Sequence, residues 1–429
     1  MNASGRVNGA PTPLLTMPTI AVLGTFDSKG PEHAFVADAL RIQGFSTRLI
    51  NVGCLDAPTI SPAVGAEIIA AAGDPEWRTI LTRKDRGECV ALMARGAARV
   101  VSEMATRGEI DGIISLGGGG GTAIATAAMR ALPIGFPKLM VSTLASGQTA
   151  PYVGTSDIVM MPAIVDVSGI NRVSRTIFSN AAGAIGGMVT AAARRRSEPI
   201  ADKPLIVASM FGNTTAAVNE ARRLLEAAGY EVLVFHATGT GGRSMEALIA
   251  SGLVSGVLDL TTTEWADELV GGILGAGPER LDATAKAGIP AIVVPGCLDM
   301  VNFGEPKTVP ARFDGRRFYH HNPQVTLMRT TTAECTELGR IIAEKVNRYT
   351  AAVTVLLPHG GISIISAPGQ PFYDPAADAA LFESIHRHVR AGIRVVDSPL
   401  PINDPEFARL CATTLLEACQ AARPGERPR

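Results

Sequence analysis

One strand–turn–helix–strand pattern occurs twice in this chain, and that recurrence restricts the fold more than any other feature. The first copy is TIAVLGTFDSKGPEHAFVADALRIQGFSTRLINVG, from Thr19 to Gly53. The second is PLIVASMFGNTTAAVNEARRLLEAAGYEVLVFHATG, from Pro204 to Gly239. Each opens with a short apolar run, passes a Gly-containing turn and continues as an amphipathic helix. Gly and an aromatic residue then lead into a second apolar run. The helical periodicity places Phe35, Ala39 and Ile42 on one buried face and Val218, Ala221 and Leu225 on the other. Pro31 suits a first turn, and Gly44 and Gly229 stand where helices end.

The two halves stay parallel downstream. IDGIISLGG and VSGVLDLTT read as buried strands, FPKLMVST and IPAIVVPG as the strands that follow them, and AAVTVLLPHGGISII as a late strand of the second half. Strands alternating with helices mean parallel sheets with right-handed crossovers. The expected fold is α/β, with two Rossmann-like doubly wound parallel-sheet domains facing an interdomain cleft. A chain of 429 residues exceeds one ordinary core, which agrees. The boundary falls in RRRSEPIADKP, Arg194 to Pro204. Residues 1–18 are expected as a disordered tail, 19–198 as a nucleotide-binding domain and 199–429 as a substrate domain.

Composition removes several classes of function. With 46% hydrophobic and 18% charged residues the chain is neither disordered nor fibrous. A formal net charge of -1 gives no footprint for nucleic acid or an anionic membrane. The first 18 residues lack a signal-peptide core, and no run approaches the roughly 20 uninterrupted apolar residues of a membrane helix. The 6 cysteines form no CxxC pair, which points to free thiols in a reducing, cytoplasmic compartment. The abundance of small apolar residues suits a homo-oligomer. Arg83-Lys84-Asp85-Arg86 and Arg194-Arg195-Arg196 read as solvated helix ends.

The strongest local signal is SLGGGGGTAIATAAMRAL, in which Gly117, Gly118, Gly119, Gly120 and Gly121 follow a strand and open a helix. Ligands of doubly wound sheets bind outside the carboxyl ends of the strands. Free amides and the helix dipole there attract anions, and a missing Cβ lets phosphate oxygens approach them. Thr122 would add a hydroxyl to a phosphate or its magnesium ion. A Walker loop would need Lys where Gly121 stands, and the G-x-G-x-x-G spacing fails at Thr122. The alternative is a tight turn between strand and helix. GTFDSKGPEH, at the same sheet edge, offers Thr25, Asp27 and Lys29. Lys29 would supply the charge that the glycines lack, and Asp27 is either a magnesium ligand through water or a solvent-facing turn residue. TLASG adds a third rim with Thr143 and Ser146.

GTFDSKGPEH, SLGGGGGTAIATAAMRALPIGFPKLMVSTLASG, YVGTSDI and HGGISIISAPGQPFYDP together resemble one family, that of the tomato mosaic virus resistance protein and its stand-alone bacterial relatives. The resemblance runs from Pro18 to about Arg423. It implies that both halves are Rossmann-like and that the N-terminal half binds ATP. It also implies that Gly117 to Thr122, Thr25 and Lys29 belong to the nucleotide site. The plant members carry a C-terminal barrel that these residues do not include, so an antiviral role is a poor guide. The family supplies a ligand class and no reaction.

In the second half, GTGGRSMEALI again sets glycines before a helix, with Gly241, Gly242 and Arg243 as a second anion cradle; a loop capped through Ser244 is the alternative. PGCLDMVNFGEP brings Cys297, Asp299 and Asn302 to a strand end, and Cys297 is either a nucleophile or an inert buried thiol. RRFYHHNPQVTLMR holds His320, His321 and Arg329, with the two histidines on opposite faces if extended. His359 opens PHGG at another strand end. No helix-spaced HxxxH pair with a companion acid appears, so no zinc site built from protein ligands is expected. The expected function is an ATP- and Mg2+-dependent enzyme acting on a small anionic metabolite in the cleft, with Asp299, His321, Arg329 and Glu264 as catalytic residues. A nucleotide-binding regulator with a hinge near Ser197, and a nucleotide-independent hydrolase or lyase, are the rivals.

Overall fold

The structure, a computed structural model, describes residues 17–197 and 202–422. The tail expected over 1–18 lies outside the described residues except for Met17 and Pro18, and so does the centre of the Arg194–Pro204 connection. The chain divides into two units, Met1–Ile200 and Ala201–Arg429.

The first unit carries strands β1 (Thr19–Gly24), β2 (Ser46–Asn51), β3 (Gly112–Gly117), β4 (Lys138–Ser142) and β5 (Val159–Pro162). Its helices are α1 (Phe26–Ile42), α2 (Ala66–Gly73), α3 (Trp77–Arg83), α4 (Arg86–Thr106), α5 (Gly119–Arg130), α6 (Ala150–Val153) and α7 (Arg172–Ser197). The strands pair in parallel in the order β2-β1-β3-β4-β5. Helices cover both faces, which is why β3 is buried at every residue and reads as an unbroken apolar run. Ile113, Ala21 and Leu23 pack with Leu92, Met93, Ile124 and Ala125 of α4 and α5. Ile114, Val22 and Leu116 pack on the other face with Val36, Leu40, Phe178 and Ile185 of α1 and α7.

The buried face of α1 is Val36, Ala37 and Leu40, whereas Ile42 is 87% exposed, so the expected Phe35–Ala39–Ile42 stripe is rotated. A break at Lys29 (φ -136°) shifts the register ahead of Pro31 and explains the error. By length and composition Arg172–Arg196 would cross a membrane, yet Phe178, Ala182, Ile185 and Val189 lie in this core.

The second unit contains β6 (Leu205–Met210), β7 (Glu231–His236), β8 (Val254–Thr261), β9 (Ala291–Gly296), β10 (Met300–Phe303), β11 (Phe318–Asn322), β12 (Val325–Arg329), β13 (Val353–Pro358) and β14 (Arg394–Ser398). Its helices are α8 (Thr215–Ala227), α9 (Thr240–Ala250), α10 (Glu264–Val270), α11 (Asp282–Ala287), α12 (Thr332–Val346), α13 (Pro375–His388) and α14 (Pro405–Ala421). The parallel sheet runs β14-β13-β9-β8-β6-β7, and Val218, Ala221 and Leu225 of α8 are buried against it as expected. A small antiparallel sheet, β10-β12-β11, has no counterpart among the described residues of the first unit.

Both parallel sheets share one plan. The second strand of each unit lies outside the first, and the third lies on the first strand's other side. The order therefore reverses between β1 and β3, and again between β6 and β8. Ligands of such sheets bind at that reversal, beyond the carboxyl ends.

Candidate functional site

In the first unit the reversal point is open. A cavity of about 630 Å³ is lined by Thr25, Asp27, Ser28 and Lys29 after β1, by Gly53, Cys54 and Leu55 after β2, and by Gly118 to Gly121 after β3. α1, α4 and α5 all begin at this cavity. The first amides of a helix have no partner within it and carry partial positive charge, so this setting favours an anion.

The clearances separate one glycine that packing requires from four that it does not. Gly117 is tight: a Cβ there would lie 3.2 Å from the Cα of Gly121. The next four are not. A Cβ on Gly118 would meet nothing nearer than the Thr143 hydroxyl at 3.7 Å, and one on Gly119 only the Leu144 Cδ1 at 4.0 Å. Gly120 and Gly121 have equally ordinary clearances of 3.6 and 3.9 Å. None of the four has a positive φ. Neither backbone conformation nor protein packing requires four glycines, yet Gly118 caps the helix and Gly119 to Gly121 form its first turn, where they weaken it.

The walls are held by buried polar residues that the sequence did not disclose as such. The Asn51 side chain accepts the amides of Phe26 (3.0 Å) and Gly53 (2.9 Å), tying the loop after β1 to that after β2. Asp27 accepts the Leu55 amide at 3.1 Å and sits where a Cβ on Gly53 would be, 2.5 Å from its Cγ. It belongs to the cavity wall and is not a solvent-facing turn residue. Fully buried His33 donates from Nδ1 to the Lys29 carbonyl (2.7 Å) and accepts the Leu116 amide at Nε2 (3.4 Å). This joins α1 to β3 directly beneath the glycines. Gly24 makes room for the ring, since its Cβ would lie 2.0 Å from His33 Nε2. Burial holds this imidazole down at about 4, so it is neutral.

Three cations face the cavity. Lys29 donates its ammonium to the Val167 carbonyl. Lys84 and Arg86, read from the sequence as part of a solvated helix end, also line it. Neither side chain has an ion pair or hydrogen bond among the described residues, and a Cβ on Gly120 would be 3.9 Å from an Arg86 guanidinium nitrogen. Lys84 caps α3 in a left-handed conformation (φ 53°), and Asp85 caps α4 through the Glu88 amide (2.8 Å). The break between the two helices turns the basic run toward the glycines. Asp27 and Asp166 are the carboxylates of the cavity.

Thr122 is a correction. Its hydroxyl bonds Ser142 at 2.7 Å in the core and its amide bonds the Gly118 carbonyl at 2.8 Å, so it offers a ligand nothing. Thr143 and Ser146 line a neighbouring cavity. Cys54 and Cys89 are both in the wall; burial, helped by its contact with Cys89, pushes the Cys54 thiol up to about 12, away from nucleophilic use.

In the second unit the corresponding features are filled by the protein itself. Gly239 and Gly242 donate their amides to Glu264 Oε1 at 2.7 and 3.1 Å. A Cβ on Gly242 would lie 2.1 Å from Glu264 Oε2, and one on Gly241 1.8 Å from the His236 carbonyl oxygen. The expected second anion cradle is thus occupied by a carboxylate of this chain, and Glu264 is not available for catalysis. Its Oε2 accepts from Arg280 at 2.7 Å, while Arg280 also grips both oxygens of Asp259 at 2.5 and 2.6 Å and reaches Glu246 at 3.1 Å. Arg280, 1% exposed, was not singled out in the sequence. Arg243 bonds the Gly275 carbonyl and the Thr240 hydroxyl.

The remaining second-unit candidates also have structural partners or stand apart. Asp299 is buried against the Ser363 hydroxyl at 2.7 Å, with burial raising its carboxyl above the ordinary range. Arg329 is spent on Asp378 (2.5 Å), the Phe372 carbonyl (2.9 Å) and the Thr330 hydroxyl (2.8 Å). Cys297 is fully buried, and burial with Asp299 nearby pushes its thiol far up. Asn302 donates to Asp267 at 2.7 Å. His320 and His321 lie exposed on β11, where a bulge interrupts pairing, and touch none of these groups. His359 bonds Asp397 at 2.7 Å, as does His386 at 3.0 Å. Among the described residues no cluster of three or more His, Cys, Asp or Glu side chains is suited to a metal.

Comparison with known proteins follows this division into two. A family model described as "Uncharacterised protein family (UPF0261) N-terminal domain" matches residues 18–194, and its C-terminal counterpart matches 203–419. A UPF0261 protein of Clostridium tetani is 49% identical over 92% of this chain and 98% of its own length. The ToMV resistance protein Tm-1 of Solanum lycopersicum is 39% identical, covering 95% of this chain but 56% of the plant protein. A UDP-N-acetylglucosamine 2-epimerase structure from Rickettsia bellii aligns at 11% identity and a TM-score of 0.22 over 64% of this chain and 78% of that one, too weak a likeness to argue from.

Proposed function

We propose that this chain, which belongs to the UPF0261 family, binds a nucleoside triphosphate in its N-terminal unit and uses it on a small substrate there. The observation that carries this reading is the run Gly118–Gly121. Four residues lack side chains for no reason internal to the fold, at a helix N-terminus, facing a cavity with three cations. Backbone amides approached this closely suit phosphate oxygens. Val52, Leu55, Val90 and Ile124 line the same cavity and give the apolar surface that a nucleobase needs. The family resemblance supports ATP as the nucleotide. Lys29 and Arg86 would take the phosphate charge, Lys84 the outer oxygens. Magnesium fits the donor set through Asp27, whose Oδ1 carries no hydrogen bond among the described residues, and would neutralise phosphate charge.

The second unit supports this enzyme differently from the sequence expectation. Asp299, Arg329 and Glu264 have internal partners, so we place the chemistry in the first unit. That same observation gives weight to a regulatory reading, in which nucleotide binds without turnover. Calorimetric titration with ATP and magnesium tests the proposal: micromolar or tighter binding that Gly119→Val abolishes is expected, and equal affinity in wild type and variant refutes the cradle. Nucleotide consumption then separates enzyme from regulator.

A further inference from the structure

Next to the glycine cradle lies a second cavity, of about 350 Å³, lined by Ser142, Thr143, Ser146 and the segment Pro162 to Asp166. We propose that it is the acceptor site of a phosphoryl transfer, and that Asp166 takes the proton from a hydroxyl of an uncharged polyol. This rests on the nucleotide reading of the cradle.

Three observations converge. Asp166 lines both cavities, so it stands where a group in one meets a group in the other. Its carboxylate has no hydrogen bond or ion pair among the described residues. The two cavities also adjoin at Gly118, whose Cβ would lie 3.7 Å from the Thr143 hydroxyl. The phosphate end of the cradle therefore abuts the second cavity.

The lining sets the acceptor chemistry. The Ser142 hydroxyl is committed to Thr122 (2.7 Å) and to the Leu144 amide (3.0 Å). The hydroxyls of Thr143 and Ser146 have no partner among the described residues and are exposed, free to bond a hydroxylated molecule. No lysine, arginine or histidine lines this cavity. An anionic substrate would face Asp166 without compensation, whereas a neutral polyol would not. This narrows the small anionic metabolite of the sequence reading to an uncharged one.

The loop is shaped at a cost that its own packing does not explain. Ile164, β-branched and 75% exposed, is held at φ 64°. The Val165 amide closes a three-residue turn on the Ala163 carbonyl at 2.7 Å, a rare and strained form. It reverses the chain two residues before Asp166. Strain of this kind persists where surrounding structure enforces it and gathers at functional sites.

The step balances without a further reactant. The acceptor oxygen bonds the γ-phosphorus, and the bond from that phosphorus to the β,γ-bridging oxygen breaks. The electron pair leaves with the nucleoside diphosphate. The hydroxyl proton passes to Asp166 and then to water. The cradle amides, Lys29 and Arg86 stabilise the equatorial oxygens.

The test uses the full chain with glycerol, erythritol and ribitol as probes. Calorimetry with a non-hydrolysable ATP analogue and magnesium measures polyol binding, and phosphorus NMR with ATP measures phosphate ester formed. Saturable binding of at least one polyol and appearance of its phosphate ester are expected. Asp166→Asn should retain both bindings and lower transfer at least about 100-fold. Ser146→Trp should remove polyol binding and leave analogue affinity unaltered. If the analogue binds and none of the three polyols does, this inference falls and the nucleotide reading stands. Transfer at the wild-type rate in Asp166→Asn, or polyol binding that survives Ser146→Trp, also overturns it. If the analogue itself does not bind, the nucleotide reading fails first.

Discussion

Glycine in a helix costs up to about 1 kcal/mol relative to alanine, and α5 opens with three in succession after a glycine cap. A residue so placed for packing would resist substitution; one placed for a ligand would not. Gly119→Ala is therefore expected to raise the thermal stability of the ligand-free protein slightly, since its Cβ meets only Leu144 at 4.0 Å, and to weaken ATP binding at least tenfold. Melting curves with and without nucleotide measure both. Gly117→Ala, with 3.2 Å to Gly121, should instead destabilise. Arg86→Ala is expected to lower nucleotide affinity about tenfold at low salt and less at high salt, because an exposed cation acts largely through screened charge. Equal affinity at both ionic strengths would remove Arg86 from the phosphate site.

At the scale of elements, the first turns of α5 and α9 look alike in sequence and differ in what lies before them. The amides of α9 are met by Glu264, reached from the start of α10, 22 and 25 residues along the chain from Gly242 and Gly239. Nothing local announces this carboxylate. Removing it would leave the two amides and the Arg280 Nε without their acceptor in a buried place, although Arg280 keeps Asp259 and Glu246 as counter-charges. Glu264→Ala should lower the stability of the second unit by about 3–5 kcal/mol in urea denaturation, through three buried donors left unsatisfied, while sparing nucleotide binding in the first. Loss of less than about 1 kcal/mol would mean that the Arg280 cluster is dispensable. The break between α3 and α4 makes the same point in the opposite direction. A basic run that reads as a solvated helix end is turned into the cavity wall by one left-handed residue, Lys84.

For the whole molecule, the buried titratable groups give the two units opposite responses to pH. His33 is lowered to about 4 from an ordinary 6.5. Its neutral form stabilises the first unit fully above 6.5, and the contribution is lost as pH falls toward 4, about 2 kcal/mol by pH 5. Asp267 and Asp378 in the second unit are raised by burial to about 7 from 3.8. They stay protonated in the folded state while the unfolded chain ionises, so their contribution is fully present below about 4 and declines as pH rises through 7. Between pH 7 and 5 the first unit should loosen and the second tighten. Hydrogen exchange of β3 and β8, corrected for intrinsic rates, reads this directly, and parallel changes in both strands would contradict it.

The sequence by itself determined two parallel α/β units, their strand ends and the place of the five glycines, because each depends on periodicity and on residues near one another in the chain. It located Thr25, Asp27 and Lys29 at the cavity for the same reason: they follow β1 directly. Only the tertiary structure decided which glycine loop is open. That turns on whether a distant carboxylate, Glu264, fills the helix end, and on which way Lys84 and Arg86 face. It likewise spent Asp299 and Arg329 on Ser363 and Asp378, brought from later in the chain. A buried charge must find its partner in space, and sequence separation carries no information about where that partner comes from.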